Sequence, residues 1–314
     1  MAEPNPLQGV VASLDELVAA RPHGTGGFSA GSKVRAHQYG GHRSAYRGRG
    51  MEFDEVRAYH PGDDIRTIDW RVTARTGRTH TKLFQEERER PVLILVDARA
   101  SMRFGTRACF KSVLAARAAA LLAWVGIGGG DRVGGLVLAP SGIASFRPER
   151  SRRRALSFVK RVAEATAEPA GGAEPSLAEA LLRLRGLVRP GTLVFLISDF
   201  ADFDAPAVHE AERLAHQGDV SCLFVFDRLE AAMPGAGNYP VTDANGEGRA
   251  RLEVERAPSR AAYAAWFAQR RDRVESLARE RGMAFLPLDT AEDPKEILHP
   301  GRLKARPPAA RSVA

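Results

Sequence analysis

The stretch VDARASM, residues 96–102, carries an aspartate, an arginine and a serine at alternate positions. Asp97 ends the apolar run PVLILVD, and Asp199 ends a second run, LVFLISD. In an open parallel sheet, ligands bind outside the carboxyl ends of the strands, at the point where the strand order reverses. If the first strand is central and the second lies beside it, both carboxylates face one crevice. Together with the Ser101 hydroxyl, they would present the oxygen ligands that Mg²⁺ prefers.

Arg99 opposes a metal ion at this place. A guanidinium offers only hydrogen-bond donors, and it would repel a dication about 4 Å away by about 8 kcal/mol at an effective dielectric constant of about 20. We expect Arg99 to take the place of the ion and to bridge Asp97 and Asp199 with its planar fork. We therefore predict no metal and no cofactor. A metal, if one binds, would use Asp97, Ser101 and Asp199. A plainer alternative is that Asp97 only caps the helix that follows.

From residue 91 onward, apolar runs alternate with helical patterns. The runs are PVLILVD, DRVGGLVL, GTLVFLISD, VSCLFVFD and MAFLPLD, and the predicted helices cover residues 107–125, 151–166, 176–187, 205–217 and 259–281. Strands that are apolar throughout are buried on both faces, which indicates a mostly parallel sheet covered by helices. We predict an α/β fold with an open, doubly wound sheet. In the last helix, an apolar stripe at helical spacing is expected to face the core: Tyr263, Trp266, Phe267, Val274 and Leu277.

The composition divides the chain into four segments. Residues 1–27 form a partly flexible N-terminal segment, residues 28–90 a smaller arginine-rich β element, residues 91–290 the α/β domain, and residues 291–314 a basic, largely disordered tail. Within the β element, IDWRVTART and HTKLFQEERE are predicted as strands, and HPGDD is predicted as a turn.

The β element concentrates charged residues. Asp63, Asp64 and Asp69 are candidates for a metal cluster. Four arginines at strand and turn spacings favour salt bridges instead: Arg57, Arg66, Arg71 and Arg75.

The same segment carries a family resemblance. It fits the pattern GxGxEFxExRxYxPGDDxRxIDWxxxAR, through which it resembles domain-of-unknown-function family fifty-eight. The matching residues include Glu52, Arg57, Tyr59, Pro61, Gly62, Asp63, Asp64, Arg66, Asp69, Trp70 and Arg75. The stretches EERE, SMRFG, LISDF and VFDRLEAAMPGAGNYPV extend the resemblance from about residue 30 to about residue 290.

The chain after residue 90 is similar to a von Willebrand factor A domain, whose metal-ion-dependent adhesion site opens with Asp-x-Ser-x-Ser after the first strand. Asp97 and Ser101 match the first and third positions, and Asp199 matches the distal aspartate. Arg99 replaces the middle serine. In the later loop, where the family has a threonine, this chain offers either Ser176 or no hydroxyl in register. The resemblance implies a degenerate form of the site.

The function that the resemblance implies is a binding role. Family members resemble accessory proteins that are encoded beside MoxR-type AAA+ ATPases and link the ATPase to client proteins. The implied function is a non-enzymatic adaptor whose partner-binding loops carry Asp97, Arg99, Ser101, Ser176 and Asp199, with the β element as a second surface. The sequence contains no phosphate-binding glycine loop and no nucleophile elbow, so we expect no enzymatic activity.

Two other functions stay open. The net charge of +8 suggests an acidic partner, and residues 31–50 and 147–161 are strongly basic. Such charge would attract nucleic acid, an anionic membrane surface or an acidic protein face, and it would otherwise form a solvated basic surface. Nucleic-acid binding by these two segments is the first alternative function. The second alternative is a metal-dependent hydrolase at Asp97 and Asp199. This function predicts magnesium or manganese binding and phosphatase or nuclease turnover. If Arg99 is what excludes the ion, replacing Arg99 by serine should create metal affinity.

The chain also indicates its compartment. Cys109 and Cys222 are expected to be buried thiols in a reducing environment. The N-terminus shows no export signal, and the longest apolar segment carries Arg117 and breaks into glycines too early to cross a bilayer of about 30 Å. We expect a cytoplasmic protein without membrane insertion.

Overall fold

The computed structural model describes residues 9–22, 51–60, 65–86, 90–169, 172–232, 235, 237–242, 249–253 and 257–298. The chain divides into two compact units. Residues 32–89 form the smaller unit, and residues 1–31 together with 90–314 form the larger one. The N-terminal segment, predicted as separate, therefore belongs to the larger unit.

Within the described residues, strands and helices alternate along most of the chain. The strands are β1 (Met51–Ala58), β2 (His80–Glu86), β3 (Pro91–Asp97), β4 (Arg132–Ala139), β5 (Gly142–Glu149), β6 (Leu193–Ser198), β7 (Asp219–Phe226), β8 (Asn238–Thr242), β9 (Arg249–Glu253) and β10 (Ala284–Asp289). The α-helices are α1 (Leu14–Ala19), α2 (Trp70–Thr76), α3 (Lys111–Gly128), α4 (Arg152–Ala167), α5 (Leu177–Arg185), α6 (Ala205–Gln217), α7 (Arg228–Ala231), α8 (Ala257–Arg281) and α9 (Pro294–Ile297). Short 3-10 turns cover Ile65–Thr67 and Ala100–Met102.

Six strands form the central sheet of the larger unit, in the order β10-β7-β6-β3-β4-β5. All neighbours in this sheet are parallel except β4 and β5. The prediction of an α/β fold with a mostly parallel sheet is confirmed. β5 is not among the predicted strands, because this edge strand is half-buried or exposed along its length rather than apolar throughout.

Each face of the sheet has its own core. Along β3, Val92, Ile94 and Val96 pack into one core, and Leu93 and Leu95 pack into the other, because side chains alternate between the faces of a strand. Helices α1, α3 and α4 cover the first face, and helices α5, α6 and α8 cover the second. β3 is therefore buried on both sides, which explains its continuous apolar sequence.

Helix α3 is the most buried helix around the site. Lys111–Gly128 is long and apolar enough to cross a membrane, but 83% of this segment is buried inside the protein. The core helices of soluble proteins can have the same length and composition, so this feature is weak evidence for a membrane span. Many of its buried residues are alanines, which allow the helix to lie close to the sheet.

Both ends of the larger unit contribute to its core where they are described. Leu17 of α1 is 0% exposed, and the indole Nε1 of Trp124 donates to the Leu17 carbonyl oxygen at 2.8 Å. At the other end, Leu298 is 4% exposed and follows α9. Residues 291–298 are thus ordered, in contrast to the predicted disordered tail. Residues 299–314 lie outside the described residues.

The smaller unit contains an antiparallel pair, β1 and β2, and helix α2. The prediction of IDWRVTART as a strand is wrong. Asp69 caps α2 by accepting hydrogen bonds from the backbone N–H groups of Arg71 and Val72, at 3.0 and 3.1 Å. Gly77 ends the helix in the left-handed conformation, with φ of 70°. Of the predicted HPGDD turn, residues 60–64, only His60 is described. The basic segment 31–50 lies wholly outside the described residues.

Candidate functional site at the carboxyl edge of the sheet

The parallel strands end at one edge of the central sheet, which we call the carboxyl edge. β3 and β6 are neighbours, as predicted, with Val96 opposite Ile197, and β4 flanks β3 on its other side. The strand order therefore reverses at β3, which is where ligand-binding crevices form in this fold class. Asp97 and Asp199 both lie at this edge, and both are 0% exposed.

Arg99 lies in the crevice and uses all of its N–H groups. Nε and Nη2 donate to the two carboxylate oxygens of Asp97 at 3.0 and 2.8 Å. Nη1 and Nη2 donate to the two oxygens of Asp202 at 2.7 and 2.8 Å. Nη1 also donates to the Pro175 carbonyl oxygen at 3.1 Å. A guanidinium has five N–H donors, so Arg99 is fully hydrogen-bonded although it is only 6% exposed.

The predicted bridge from Asp97 to Asp199 is wrong in its second partner. After β6, Phe200 adopts a left-handed conformation with φ of 53°, and the N–H of Phe203 donates to the Phe200 carbonyl oxygen at 3.2 Å. This turn brings Asp202, and not Asp199, to the guanidinium. We call Asp97, Arg99 and Asp202 the Arg99 cluster.

Asp199 pairs with a second buried cation, Lys111 at the beginning of α3. The Lys111 Nζ donates to Asp199 Oδ2 at 2.7 Å and to Glu230 Oε1 at 2.9 Å, and its side chain is 1% exposed. Arg270 donates to the same oxygen of Glu230 at 3.3 Å. Ser101 Oγ donates to Asp199 Oδ1 at 3.3 Å. We call Lys111, Asp199, Glu230 and Arg270 the Lys111 cluster.

The Arg99 cluster joins three loops of the carboxyl edge. The guanidinium reaches from the loop after β3 to the loop before α5, through its bond to the Pro175 carbonyl oxygen. The N–H of Ala100 donates to Glu174 Oε1 at 3.0 Å, and the N–H of Leu177 donates to Asp202 Oδ2 at 2.9 Å. Asp202 itself lies in the loop after β6. The three loops are therefore held to one another by charged hydrogen bonds, which are stronger than neutral ones.

The structure assigns different roles to the other predicted residues. Asp97 accepts from the Arg99 N–H at 3.1 Å and from Ser198 Oγ at 2.7 Å, whereas the residue that precedes α3 as its N-cap is Phe110. The helix-capping alternative for Asp97 is therefore wrong. Ser176 is the N-cap of α5, where its Oγ accepts from the Glu179 N–H at 3.1 Å. Among the described residues, no hydrogen bond joins Ser176 to Asp97 or Asp199.

The ion partners keep these groups charged. Burial disfavours the charged form of Arg99, but its carboxylate partners outweigh burial and raise the pKa of the guanidinium. Burial likewise opposes ionisation of Asp202 and Asp199. The hydrogen bonds of Arg99 nevertheless lower the pKa of Asp202, and the charges of Lys111 and Arg270 lower the pKa of Asp199. Both carboxylates are ionised and already engaged by cations.

Aromatic rings support the Lys111 cluster. The guanidinium carbon of Arg270 lies 4.7 Å from the ring centroid of Trp266 and 5.6 Å from that of Phe267. The predicted core-facing stripe of α8 is therefore correct only in part. Phe267, Val274 and Leu277 are buried, whereas Trp266 is 53% exposed and covers Arg270 from the solvent side.

Sequence analysis missed several members of the site. Lys111 carries one signal, since it is a lysine at the start of an otherwise apolar helix, KSVLAARAAALLAWV. Asp227 and Glu230 form a capping box around α7, a pattern that the letters DRLE contain. Asp202 and Arg270 carry no such signal, because their partners are distant in sequence.

The donor set does not fit a divalent cation. Asp97 and Asp199, the two predicted acidic ligands, are each bound to a buried cation, and a metal would have to displace Arg99 and Lys111. Within the described part of the chain, no group of three or more His, Cys, Asp or Glu side chains has the arrangement of a metal site.

The signature residues of the smaller unit are only partly described. Glu52 lies in β1, and Asp69 caps α2. Trp70 is 67% exposed and Ile65 is 66% exposed, which is unusual for large apolar side chains. Several signature residues fall outside the described ranges: Pro61, Gly62, Asp63 and Asp64. The predicted salt bridges of this segment therefore stay a prediction.

Comparisons with known proteins agree with the family resemblance. The model of a family described as "Protein of unknown function DUF58" matches residues 55–273. Uncharacterized proteins of Mycobacterium bovis and Mycobacterium tuberculosis are 32% identical over 206 residues, which are 66% of this chain and 64% of each relative. The match thus spans less than two thirds of the length of these relatives.

Two of the solved structures that are similar to this chain come from Bacteroides species. One is a conserved hypothetical protein BatB from Bacteroides thetaiotaomicron, with a TM-score of 0.41, 17% identity, and coverage of 69% of this chain and 98% of that one. The other is an aerotolerance-related membrane protein from Bacteroides fragilis, with a TM-score of 0.40, 16% identity, and coverage of 66% and 95%.

Proposed function

Because the chain belongs to the family described as "Protein of unknown function DUF58", which carries no assigned activity, we propose a function from the geometry of the site. We infer that the protein is a non-enzymatic adaptor with a von Willebrand factor A-like larger unit. The carboxyl edge would dock on a MoxR-type AAA+ ATPase and on client proteins.

One observation carries this proposal. The Arg99 guanidinium donates a hydrogen bond from each of its N–H groups to two carboxylates and one carbonyl. It does so at the strand end whose sequence resembles the ion site of a von Willebrand factor A domain. An internal cation of this kind would fix the loops without metal, and it engages Asp97 and Asp202, so that neither carboxylate is free to bind an ion or to act as a general base. Such an edge is suited to binding and not to turnover.

The thiols support the non-enzymatic part of the proposal. Cys109 and Cys222 are both buried, as predicted. Burial raises the pKa of Cys222 to about 12. Nucleophilic cysteines instead have a lowered pKa and partial exposure.

The buried ion clusters position the docking loops, and other residues would contact the partner. Asp97 and Asp199 are 0% exposed and cannot touch a partner directly. Phe104 is 37% exposed, and Ser176 and Ala201 are also exposed at the same edge. An exposed aromatic side chain on loops held rigid by ion pairs has the character of an interface anchor.

The test is binding of a MoxR-type ATPase from the same genome, measured by biolayer interferometry. Phe104→Ala and Ala201→Arg are expected to weaken binding at least about tenfold, because they remove an anchor or place a charge in the interface. The control Leu182→Ala changes a side chain of α5 that is 49% exposed, and it should leave binding unchanged. Absence of binding by the wild-type chain, or equal loss in all three variants, would contradict the proposal.

A further inference from the structure

The opposite edge of the central sheet, which we call the amino edge, carries a dense group of arginines. The sequence RPERSRRR, residues 147–154, contains five arginines and one acid, Glu149. Glu149 pairs with Val133 near the beginning of β4, which places the end of β5 and the beginning of α4 at the amino edge. We call the following exposed residues the arginine cluster: Arg147, Arg150, Arg152, Arg153 and Arg154.

The positive charge of the arginine cluster is unfavourable at the beginning of α4. Arg152, Arg153 and Arg154 occupy the first three positions of α4, and the first turn of this helix contains no acidic residue. The N-terminus of a helix has a partial positive charge and disfavours cations. One ion pair joins Arg154 to Glu149 at 3.3 Å, but both side chains are more than 40% exposed, so water and salt screen it. Residues that disfavour the local structure and do not stabilise the fold in another way are candidates for a binding surface.

The chemistry of the cluster points to phosphate groups. The guanidinium fork binds phosphate oxygens in pairs and is more weakly hydrated than an ammonium group. Leu156 lies one helical turn beyond the arginines and is 40% exposed. Arginines beside an exposed aliphatic side chain fit the interface of a bilayer, where charged groups reach lipid phosphates and the aliphatic group enters the acyl boundary.

The same surface is less suited to single-stranded nucleic acid. Single strands are bound by aromatic rings on which bases stack. Residues 142–161 contain two aromatic side chains, Phe146 and Phe158. Phe158 is 1% exposed, and Phe146 packs edge-on against it with ring centroids 5.5 Å apart. The two rings are engaged with each other, and the segment contains no other aromatic side chain on which a base could stack.

We propose that the arginine cluster docks the protein on a membrane surface of anionic phospholipids, without insertion of a helix. The inference is independent of the proposed function. It assigns the amino edge to the membrane and leaves the carboxyl edge open to a protein partner. Attraction of this kind depends on charge density and falls with ionic strength.

Vesicle co-sedimentation of the full chain tests this assignment. Binding is expected with phosphatidylcholine vesicles that contain about 30% phosphatidylserine, and not with phosphatidylcholine alone. The variant Arg152→Glu/Arg153→Glu should lower the partition coefficient at least about tenfold. The matched control is Arg271→Glu/Arg279→Glu on α8, whose side chains are 47% and 75% exposed and whose net charge change is the same. The control should retain most of the binding.

Three outcomes would overturn the inference. The first is an absence of binding to anionic vesicles, and the second is an equal loss of vesicle binding in both double variants. The third is that the protein binds duplex DNA more tightly than vesicles and that the Arg152→Glu/Arg153→Glu variant loses this DNA binding. The last outcome would assign the cluster to nucleic acid. Thermal unfolding of each variant should show that it is folded, because the substitutions are on exposed positions. Leu156→Ser should weaken vesicle binding and leave DNA binding unchanged.

Discussion

At the carboxyl edge of the sheet, Arg99 and Lys111 are 6% and 1% exposed, and each binds two carboxylates. At the amino edge, Arg152 and Arg153 are exposed in a helix turn that contains no acid. The two edges belong to one sheet and carry cations of similar chemistry. Within the described part of the chain, they differ in whether a carboxylate pairs with each of these cations.

This difference separates charges that serve the fold from charges that are available to a partner. A buried cation with full hydrogen bonding stabilises its neighbours, and removing it leaves buried carboxylates without compensation. An exposed cation among like charges contributes nothing to folding or opposes it. We therefore expect substitutions at the carboxyl edge to change stability, and substitutions at the amino edge to change binding.

The largest expected effect is that of Lys111→Met. This change leaves Asp199 and Glu230 buried without their shared cation, so we expect the free energy of unfolding to fall by about 3–5 kcal/mol in urea titrations. The control is Lys160→Met, because the Lys160 side chain is 62% exposed. Its effect should stay below about 0.5 kcal/mol. Similar losses in both variants would show that burial of the ion pair is not the cause.

A smaller loss is expected for Arg99→Lys. Lysine keeps the charge but has three donors in place of five and cannot bind Asp97 and Asp202 with a planar fork. We expect a loss of about 2–3 kcal/mol in the free energy of unfolding, measured in urea. Arg147→Lys at the amino edge serves as the control and should be neutral. A neutral result for Arg99→Lys would mean that charge alone holds the three loops.

Acid should weaken the carboxyl edge through Asp199 and Asp202, whose pKa values are lowered in the folded protein. Groups with a lowered folded pKa stabilise the fold above their unfolded pKa, about 3.9 for aspartate, and lose that contribution as the pH falls through the folded value. Asp202→Asn should therefore lower stability at neutral pH and flatten its decrease below about pH 4. Urea unfolding across this pH range measures the slope, with exposed Asp272→Asn as the control. An unchanged slope would remove Asp202 from the acid response.

At the amino edge, Arg153→Glu should stabilise the protein. The change replaces a cation by an anion in the first turn of α4, which complements the helix dipole by about 0.3–1 kcal/mol. Thermal unfolding should show a small rise in the midpoint. Lys160→Glu lies beyond the first turn of the same helix and should give no rise. A loss of stability in Arg153→Glu would show that the arginine has a partner in the fold.

The smallest expected effect is that of Arg99→Ser on metal affinity. From sequence alone, this change should create a magnesium site, because it restores the serine of the adhesion motif. The structure adds that Lys111 still occupies Asp199 at 2.7 Å. We therefore expect no binding heat when the folded variant is titrated with MgCl₂ or MnCl₂ in a calorimeter. Stoichiometric binding would show that Arg99 alone excludes the ion.

In the smaller unit, a segment that the sequence pattern predicts as a strand forms a helix. IDWRVTART has alternating apolar residues and β-branched side chains, which favour a strand. Asp69, the second residue of the segment, and Gly77, the residue that follows it, cap a helix instead. Both signals were present in the sequence. A two-turn helix is too short for its periodicity to outweigh the strand pattern, and the cap residues were the better evidence.

The sequence by itself determined the parallel sheet, the neighbouring positions of β3 and β6, and the family, because burial and chain connectivity leave periodic patterns and a dense local signature. It also showed that an arginine follows two residues after the strand-end aspartate Asp97. Only the tertiary structure decided the partners: Arg99 binds Asp202, 103 positions away, and Lys111 binds Asp199, 88 positions away. The physical reason is that hydrogen-bond geometry selects among nearby acids. The left-handed turn at Phe200 brings Asp202 to Arg99, and the position of α3 brings Lys111 to Asp199. No local sequence pattern encodes either contact.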